Sequence, residues 1–192
     1  VPTGVDEIKV MVYWQDKEAS TTASTALVND INITHIAHNS KQVQEGSLFI
    51  ALSGYNTNGN KFIDEAINNG ANAIISDRKN QTCSVPYIEV DNPRKTMSKI
   101  AANFYNNPSK ELNIIGITGT NGKTTTTQII DQILKYSNKN SSSLGTLGFN
   151  SPTGIISTGF TTPESIDLQQ IFRTLKDGGI DYIPMEISSH AI

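Results

Sequence analysis

The chain has 192 residues, 36% of them hydrophobic and 17% charged, which suits one large globular domain or two small ones. Its formal net charge of -3 and pI near 5.6 exclude a general nucleic-acid binder, because such proteins need a basic face to displace the counterions of phosphates. The single cysteine, Cys83, has no partner for a disulfide within the chain, and no apolar run approaches the roughly 20 residues that span a bilayer; the expectation is a cytoplasmic protein without a membrane partner.

The chain opens at Val1, and nothing near it joins basic residues to an apolar core, so no signal peptide is expected. Ala19 to Ala26 is a Ser/Thr/Ala tract with no sustained period, and residues 1–30 receive no role. From Ile31 the pattern sharpens. Leu48 to Leu52 reads as a short strand, Phe62, Ile63, Ala66 and Ile67 as one face of a helix closed by Gly70, and Ala73 to Ile75 as a second strand. Tyr87 to Val90 reads as another strand. Asn92 and Pro93 then cap and open a helix bearing Met97, Ile100, Ala101, Phe104 and Tyr105, which Pro108 stops.

Strands alternating with helices predict an α/β fold with a largely parallel sheet, and Asn106 to Ser109 is the natural boundary, giving domains of 1–110 and 111–192. The second opens with a buried-strand pattern, Leu112 to Thr118. A glycine-rich loop follows, and then a helix with Ile129, Ile130, Ile133 and Leu134 on one face. Thr162-Pro163 predicts the start of another helix, through Ile171, Phe172 and Leu175 to Gly178-Gly179, before a strand over Ile180 to Ile187 that returns beside the first.

The loop is Gly119-Thr120-Asn121-Gly122-Lys123-Thr124, followed by Thr125. In a phosphate loop, glycines let successive backbone N-H groups point at phosphate oxygens, with the positive end of the next helix behind them. Gly119 and Gly122 supply that freedom. Lys123 can reach the β and γ phosphates as a point charge, and the Thr124 hydroxyl can coordinate Mg²⁺. The strict eight-residue pattern fails at Ile117, where its first glycine belongs, but a strand before and a helix after are the context that such a loop requires. The implied cofactors are ATP and Mg²⁺.

Glu186 ends an apolar strand pattern. In a parallel sheet the carboxyl ends of neighbouring strands share an edge, which would set this carboxylate beside the cation, against the plainer reading of a solvated charge at a strand end. His190 lies four residues on, and its spacing alone leaves a metal role and a surface role equally open. His35 and His38 have no metal-ligand partners in the sequence nearby and read as loop residues.

Taken together, Ile117 to Thr125, then Thr161-Thr162-Pro163-Glu164, then Met185-Glu186-Ile187-Ser188-Ser189-His190 resemble the Mur ligase family, and most closely its MurE type. The resemblance runs from about Ile31 to Ile192. Asn39-Ser40-Lys41, Gly46 to Ala51 and Gly54-Tyr55 resemble the family's uridine-nucleotide-binding domain. The resemblance thus implies a small amino-terminal uridine-nucleotide-binding α/β domain followed by the first part of a P-loop ATPase α/β domain. It implies that Ser40 and the loop Tyr55, Asn56 and Thr57 touch the UDP portion of UDP-N-acetylmuramoyl-dipeptide, with His38 beside them. Thr161, Thr162 and Ser188 would hold the sugar-peptide part. Lys123, Glu186 and His190 would be catalytic, with Thr124, Glu186 and His190 at the metal ions. The implied reaction is ATP-dependent: the D-glutamate carboxylate takes the γ-phosphoryl group, and the amine of a diamino acid displaces phosphate from the acyl phosphate. The resemblance further implies that the chain stops within the ATPase domain and is inactive alone, that the full-length protein is a monomer, and that meso-diaminopimelate and lysine are both open as donor. Two other readings stand beside it: another amide ligase of the same ATPase family, and a non-catalytic module that holds a UDP-sugar or ATP.

Overall fold

The computed structural model describes residues 8–9, 31–54, 58–79, 83–151, 154–156, 159 and 161–189. Contacts divide the chain into two units, Val1–Thr96 and Met97–Ile192; the division falls inside a helix, ahead of the Asn106 to Ser109 stretch.

In the first unit, β1 (Ile8–Lys9) pairs antiparallel with β2 (Asn32–Ile33). A second sheet holds β3 (His35–Ala37), β4 (Ser47–Ile50), β5 (Ala71–Ser76) and β6 (Tyr87–Glu89) in the order 3-4-5-6, every pair parallel. Parallel strands are covered on both faces, so they read as near-continuous apolar runs rather than alternating ones, and all four residues of β4 are buried. One face carries Ala37, Phe49, Ala51 and Ile74, packed with Ile63 and Ala66 of α1 (Ile63–Asn68). Gly70 closes that helix at φ +101, as expected. His35, expected in a loop, is instead the first residue of β3, because β3 pairs with β4 from His35 onward.

Helix α2 (Pro93–Phe104) begins where the sequence places it: the Asn92 side chain accepts from the N-H of Lys95 at 2.9 Å, and Pro93 occupies the first position, where no N-H is needed. Met97, Ala101 and Phe104 are buried on one stripe, with Ile100 and Tyr105 half-buried. Asn106 and Asn107 end it in the left-handed region, at φ +59 and +52, before Pro108.

The second unit is built on β7 (Asn113–Ile117), β8 (Leu144–Gly145), β9 (Gly148–Ser151), β10 (Gly154–Ile156) and β11 (Tyr182–Glu186), in the order 10-9-8-11-7. The returning strand lies beside the first as predicted: β11 runs parallel to β7, with Glu186 opposite Ile117. The strands β8, β9 and β10 were not foreseen. They form an antiparallel meander, so this sheet is mixed. Along β11, Ile183 and Met185 join Leu144, Phe149, Phe172 and Leu175 in the core beneath α4 (Ser165–Asp177). Side chains alternate across a strand, so Glu186 must project from the opposite face. That face belongs to α3 (Lys123–Tyr136), whose Thr124 hydroxyl bonds the Glu186 carboxylate.

Two helix expectations need correction. Helix α4 starts at Ser165, not at Thr162-Pro163, because the Thr162 hydroxyl is bonded to the end of β11 instead. On α3, Ile129 and Ile133 are 53% and 59% exposed, while Thr127 and Asp131 are each 1% exposed. Asp131 faces inward because it finds partners there, accepting from the Ser141 hydroxyl at 2.7 Å and from Lys135 at 2.6 Å, and the neighbouring Gln128 donates to Ser143 at 3.0 Å; the buried Thr127 hydroxyl has no hydrogen-bond partner among the described residues. A buried carboxylate so paired avoids the cost of an unsatisfied charge.

Candidate functional site

The glycine loop joins β7 to α3, as the sequence requires. Gly122 is the residue immediately before the helix and sits at φ +79, a left-handed conformation that costs a residue with a Cβ about 1–2 kcal/mol. Lys123 opens α3 and folds back over the loop, its Nζ donating to the Gly119 carbonyl at 2.7 Å and toward that of Thr120 at 3.5 Å. Ile117 is the last residue of β7, and its carbonyl accepts from the N-H of Ile187 at 2.8 Å, so the loop begins only after it.

Glu186 is 2% exposed, at the carboxyl end of β11. Three donors reach its carboxylate. The Thr124 hydroxyl is 3.0 Å from Oε2, the Thr146 hydroxyl 3.2 Å from the same oxygen, and the Thr146 N-H 3.0 Å from Oε1. All three are neutral, so a buried carboxylate is held by hydrogen bonds alone among the described residues, with a threonine hydroxyl from the first turn of α3 against it. Oxygen donors of this kind suit a hard cation. Among the described residues no group of three His, Cys, Asp or Glu side chains surrounds a metal position.

The carboxylate is aimed by a tight turn. Gly145 and Gly148 pair across the ladder between β8 and β9, leaving Thr146 and Leu147 as the two-residue loop. A Cβ at Gly145 would land on Oε1 of Glu186 and within 2.6 Å of its Cδ and Cγ, so the glycine makes room for the side chain that Thr146 then binds. Neither Gly145 nor Thr146 was singled out from the sequence. The usable signal was a Gly-x-x-Gly turn after a serine run, which carries no chemistry by itself.

Other expected site residues fall into place unevenly. Thr161 stands beside this turn, its Oγ1 3.2 Å from that of Thr146. Thr162 ties the strand end, its hydroxyl donating to the Glu186 carbonyl at 3.1 Å and accepting from the Ser188 N-H at 3.0 Å. These four threonines, with Glu186 and Ser188, form one connected network. His190 lies outside the described residues, as do Tyr55, Asn56 and Thr57.

In the first unit, Ser40 is 5% exposed and opens a short 3-10 turn, Ser40–Gln42, where Asn39 caps by accepting from the Lys41 N-H at 3.1 Å. His38 precedes it, half-buried. Ser53 and Asn58 bridge the base of the loop that carries Tyr55 to Thr57. Asp77 holds that base, accepting from Asn60 at 3.1 Å and from Ser53 at 2.9 Å. The Asn60 amide, with the Ser53 hydroxyl adding to it, holds the Asp77 carboxyl below its usual range. Asn60 also accepts from the hydroxyl of Ser76.

Residues 32–105 match the Mur ligase family, catalytic domain, and residues 117–192 match the Mur ligase middle domain. The chain belongs to the Mur ligase family. It is 42% identical over 164 residues to the UDP-N-acetylmuramoyl-L-alanyl-D-glutamate--2,6-diaminopimelate ligase of Clostridioides difficile (strain 630), a match covering 85% of this chain and 34% of that protein. The protein of the same name from Caldanaerobacter subterraneus subsp. tengcongensis is 40% identical, with the same coverage. A solved structure bearing that enzyme name superposes with a TM-score of 0.67 at 28% identity, over 83% of this chain and 32% of that one. The MurF ligase of Thermotoga maritima in complex with ADP gives 0.54 at 31% identity, over 81% of this chain and 32% of its own. The family's α/β fold is thus present in both units. The chain spans about a third of the length of the curated relatives it matches.

Proposed function

We propose that this chain carries the nucleotide end and part of the substrate end of an ATP-dependent amide ligase of MurE type, which joins a diamino acid to UDP-N-acetylmuramoyl-L-alanyl-D-glutamate in cell-wall precursor synthesis. The observation that carries the reading is the Thr124–Glu186 contact of 3.0 Å beneath a strand-loop-helix phosphate loop. Bound ATP with Mg²⁺ supplies the phosphoryl group and the charge neutralisation that its transfer needs.

The protein's own residues then have definite tasks. Backbone N-H groups from Gly119 to Thr125 and the N-terminus of α3 receive phosphate oxygens. Lys123, which bonds its own loop in this structure, would turn its ammonium to the β and γ phosphates. Thr124 and Glu186 would present oxygens to Mg²⁺, and His190 would serve a second ion. Thr161, Thr162 and Ser188 would line the sugar-peptide side. Ser40, His38 and Tyr55, Asn56 and Thr57 would receive the uridine diphosphate. The relatives named above act on 2,6-diaminopimelate by their names, which makes it the first diamino acid to test. We assign the uridine-binding part to 1–110 and the ATPase part to 111–192, in a cytoplasmic protein.

The test is isothermal titration calorimetry with Mg-ADP on the wild-type chain and on Lys123→Ala, alongside melting curves. The variant should lose at least about tenfold in affinity, the effect of roughly one charge-assisted contact, with its melting temperature unchanged. Equal affinity in a folded variant would overturn the assignment.

A further inference from the structure

We propose that Thr146 is a positioning residue that passes cation occupancy at Glu186 on to Thr161, switching Thr161 from hydrogen-bond donor within the protein to donor toward substrate. The inference rests on the reading of Glu186 as a cation ligand.

A threonine hydroxyl has one proton to give and two lone pairs to receive with. The Thr146 hydroxyl lies between two partners, 3.2 Å from Oε2 of Glu186 and 3.2 Å from Oγ1 of Thr161. Without a cation, the carboxylate is the stronger acceptor, so Thr146 donates to Glu186 and Thr161 donates to Thr146. The chain of protons runs inward. Oε2 also takes the Thr124 hydroxyl, so it is the crowded oxygen and the one a cation beside Thr124 would engage. A cation there competes with the protons of both hydroxyls for the same lone pairs. Among the described residues the other acceptor beside the Thr146 hydroxyl is Thr161, and donating to it reverses the chain. The Thr161 proton is freed to point outward, where a phosphate, carboxylate or sugar oxygen would accept it.

The geometry allows this without loss of the carboxylate's position. Glu186 stays anchored through Oε1 to the backbone N-H of Thr146, a bond independent of the side chain. The side chain is thereby left for the relay. Thr146 is exposed and Thr161 half-exposed, so the outward end of the chain can meet a ligand.

The experiment is methyl NMR of the protein with labelled threonine, titrated to saturation with Mg²⁺ and ADP. In the wild type, the signals of Thr124, Thr146 and Thr161 should all shift. In Thr146→Val, which keeps the branched shape and the backbone N-H but has no hydroxyl, Thr124 should still shift and Thr161 should not. Thr146→Ser should restore the Thr161 shift, a rescue that a merely structural role for the branched side chain would not produce. A Thr161 shift in Thr146→Val equal to that of the wild type would overturn the relay while leaving the cation site standing. A wild-type Thr124 that ignores Mg²⁺ would overturn the cation reading and the relay with it. Should Thr146→Val fail to fold, Thr161→Val decides: Thr146 loses the acceptor it would turn to, so its shift should shrink while that of Thr124 persists, and an unchanged Thr146 shift would overturn the relay.

Discussion

Replacing Gly145 with alanine should disable the Glu186 carboxylate from a distance of one methyl group. The added Cβ would collide with Oε1 and stand 2.6 Å from both Cδ and Cγ of Glu186. Turning the carboxylate about its outer torsions relieves only the first of these contacts. Because Cγ is also too close, the side chain must change its first torsion, which swings the carboxylate away from Thr124 and the Thr146 turn. Overpacking costs about 1–3 kcal/mol, and a hydrogen bond to a charged group that is lost without replacement costs a net of about 1.5–3 kcal/mol. A loss of about 2–4 kcal/mol in the second unit is expected, together with loss of cation-dependent nucleotide binding. Urea unfolding followed at the methyl groups of Leu175 and Ile183 measures the first, and calorimetry with Mg-ADP the second. The decisive comparison is the same substitution in a Glu186→Ala background, where no Cγ remains to be struck and the penalty should fall below about 1 kcal/mol. An equal penalty in both backgrounds would refute the steric argument. Gly122→Ala is the contrasting case: nothing lies within 4 Å of its Cβ position, so only left-handed strain of about 1–2 kcal/mol applies.

The burial of α3 and α4 gives a second test. Leu175→Ala, at 0% exposure, should cost about 2–5 kcal/mol, whereas Ile133→Ala, at 59% exposure, should cost no more than about 0.5 kcal/mol; equal costs by urea unfolding would show that the isoleucine stripe is covered in solution. Burial, with the Asp167 charge adding to it, pushes the Tyr105 hydroxyl up to about 12. Absorbance at the phenolate band should therefore include a late-titrating component that Tyr105→Phe removes. The neutral form is favoured in the fold, so this stability is fully present below about pH 10 and is lost as pH rises through 12; a Tyr105 midpoint at the ordinary value would refute it.

Which parts of this fold were legible depended on whether burial left a mark on residue type. The parallel strands around Leu48, Ile74 and Ile183 read clearly, since a strand covered on both sides is an apolar run; β7 is found by the same apolar pattern, although none of its residues is buried and Ile114 is 37% exposed. Asn92-Pro93 and Gly70 marked helix ends because the caps need those residues and few others. Helix α3 misled for a specific reason. Its isoleucines at 129 and 133 and its inward Thr127 and Asp131 have the same spacing, so periodicity gives two stripes without saying which is inside. Only the partners Ser141 and Lys135 decide for the polar one, and one of these is ten positions away in sequence. The strands β8 to β10 are two to four residues long, too short for alternation to register. Thr146 was invisible for a related reason: a threonine in a two-residue turn has no motif, and its importance comes from Glu186, forty positions later.

The convergence of loop and carboxylate follows from strand register more than from any motif. Thr124 is placed by the loop that follows β7, and Glu186 by the parallel pairing that sets it opposite Ile117, the last residue of that strand. Parallel pairing puts both strand ends on one edge, which brings the two groups to the same place along the chain direction. Alternation then decides the face. Met185 is in the core beneath α4 and Glu186 is on the α3 side, so a slip of one residue would exchange them, burying a carboxylate among Phe172 and Leu175 and leaving Thr124 opposite a thioether. The cost of burying that charge unpaired, several kcal/mol, exceeds what most single contacts contribute. The apolar residues of β11 therefore do more than fill the core: by forbidding the slipped register, Ile183 and Met185 fix the position of the carboxylate that the proposed chemistry needs.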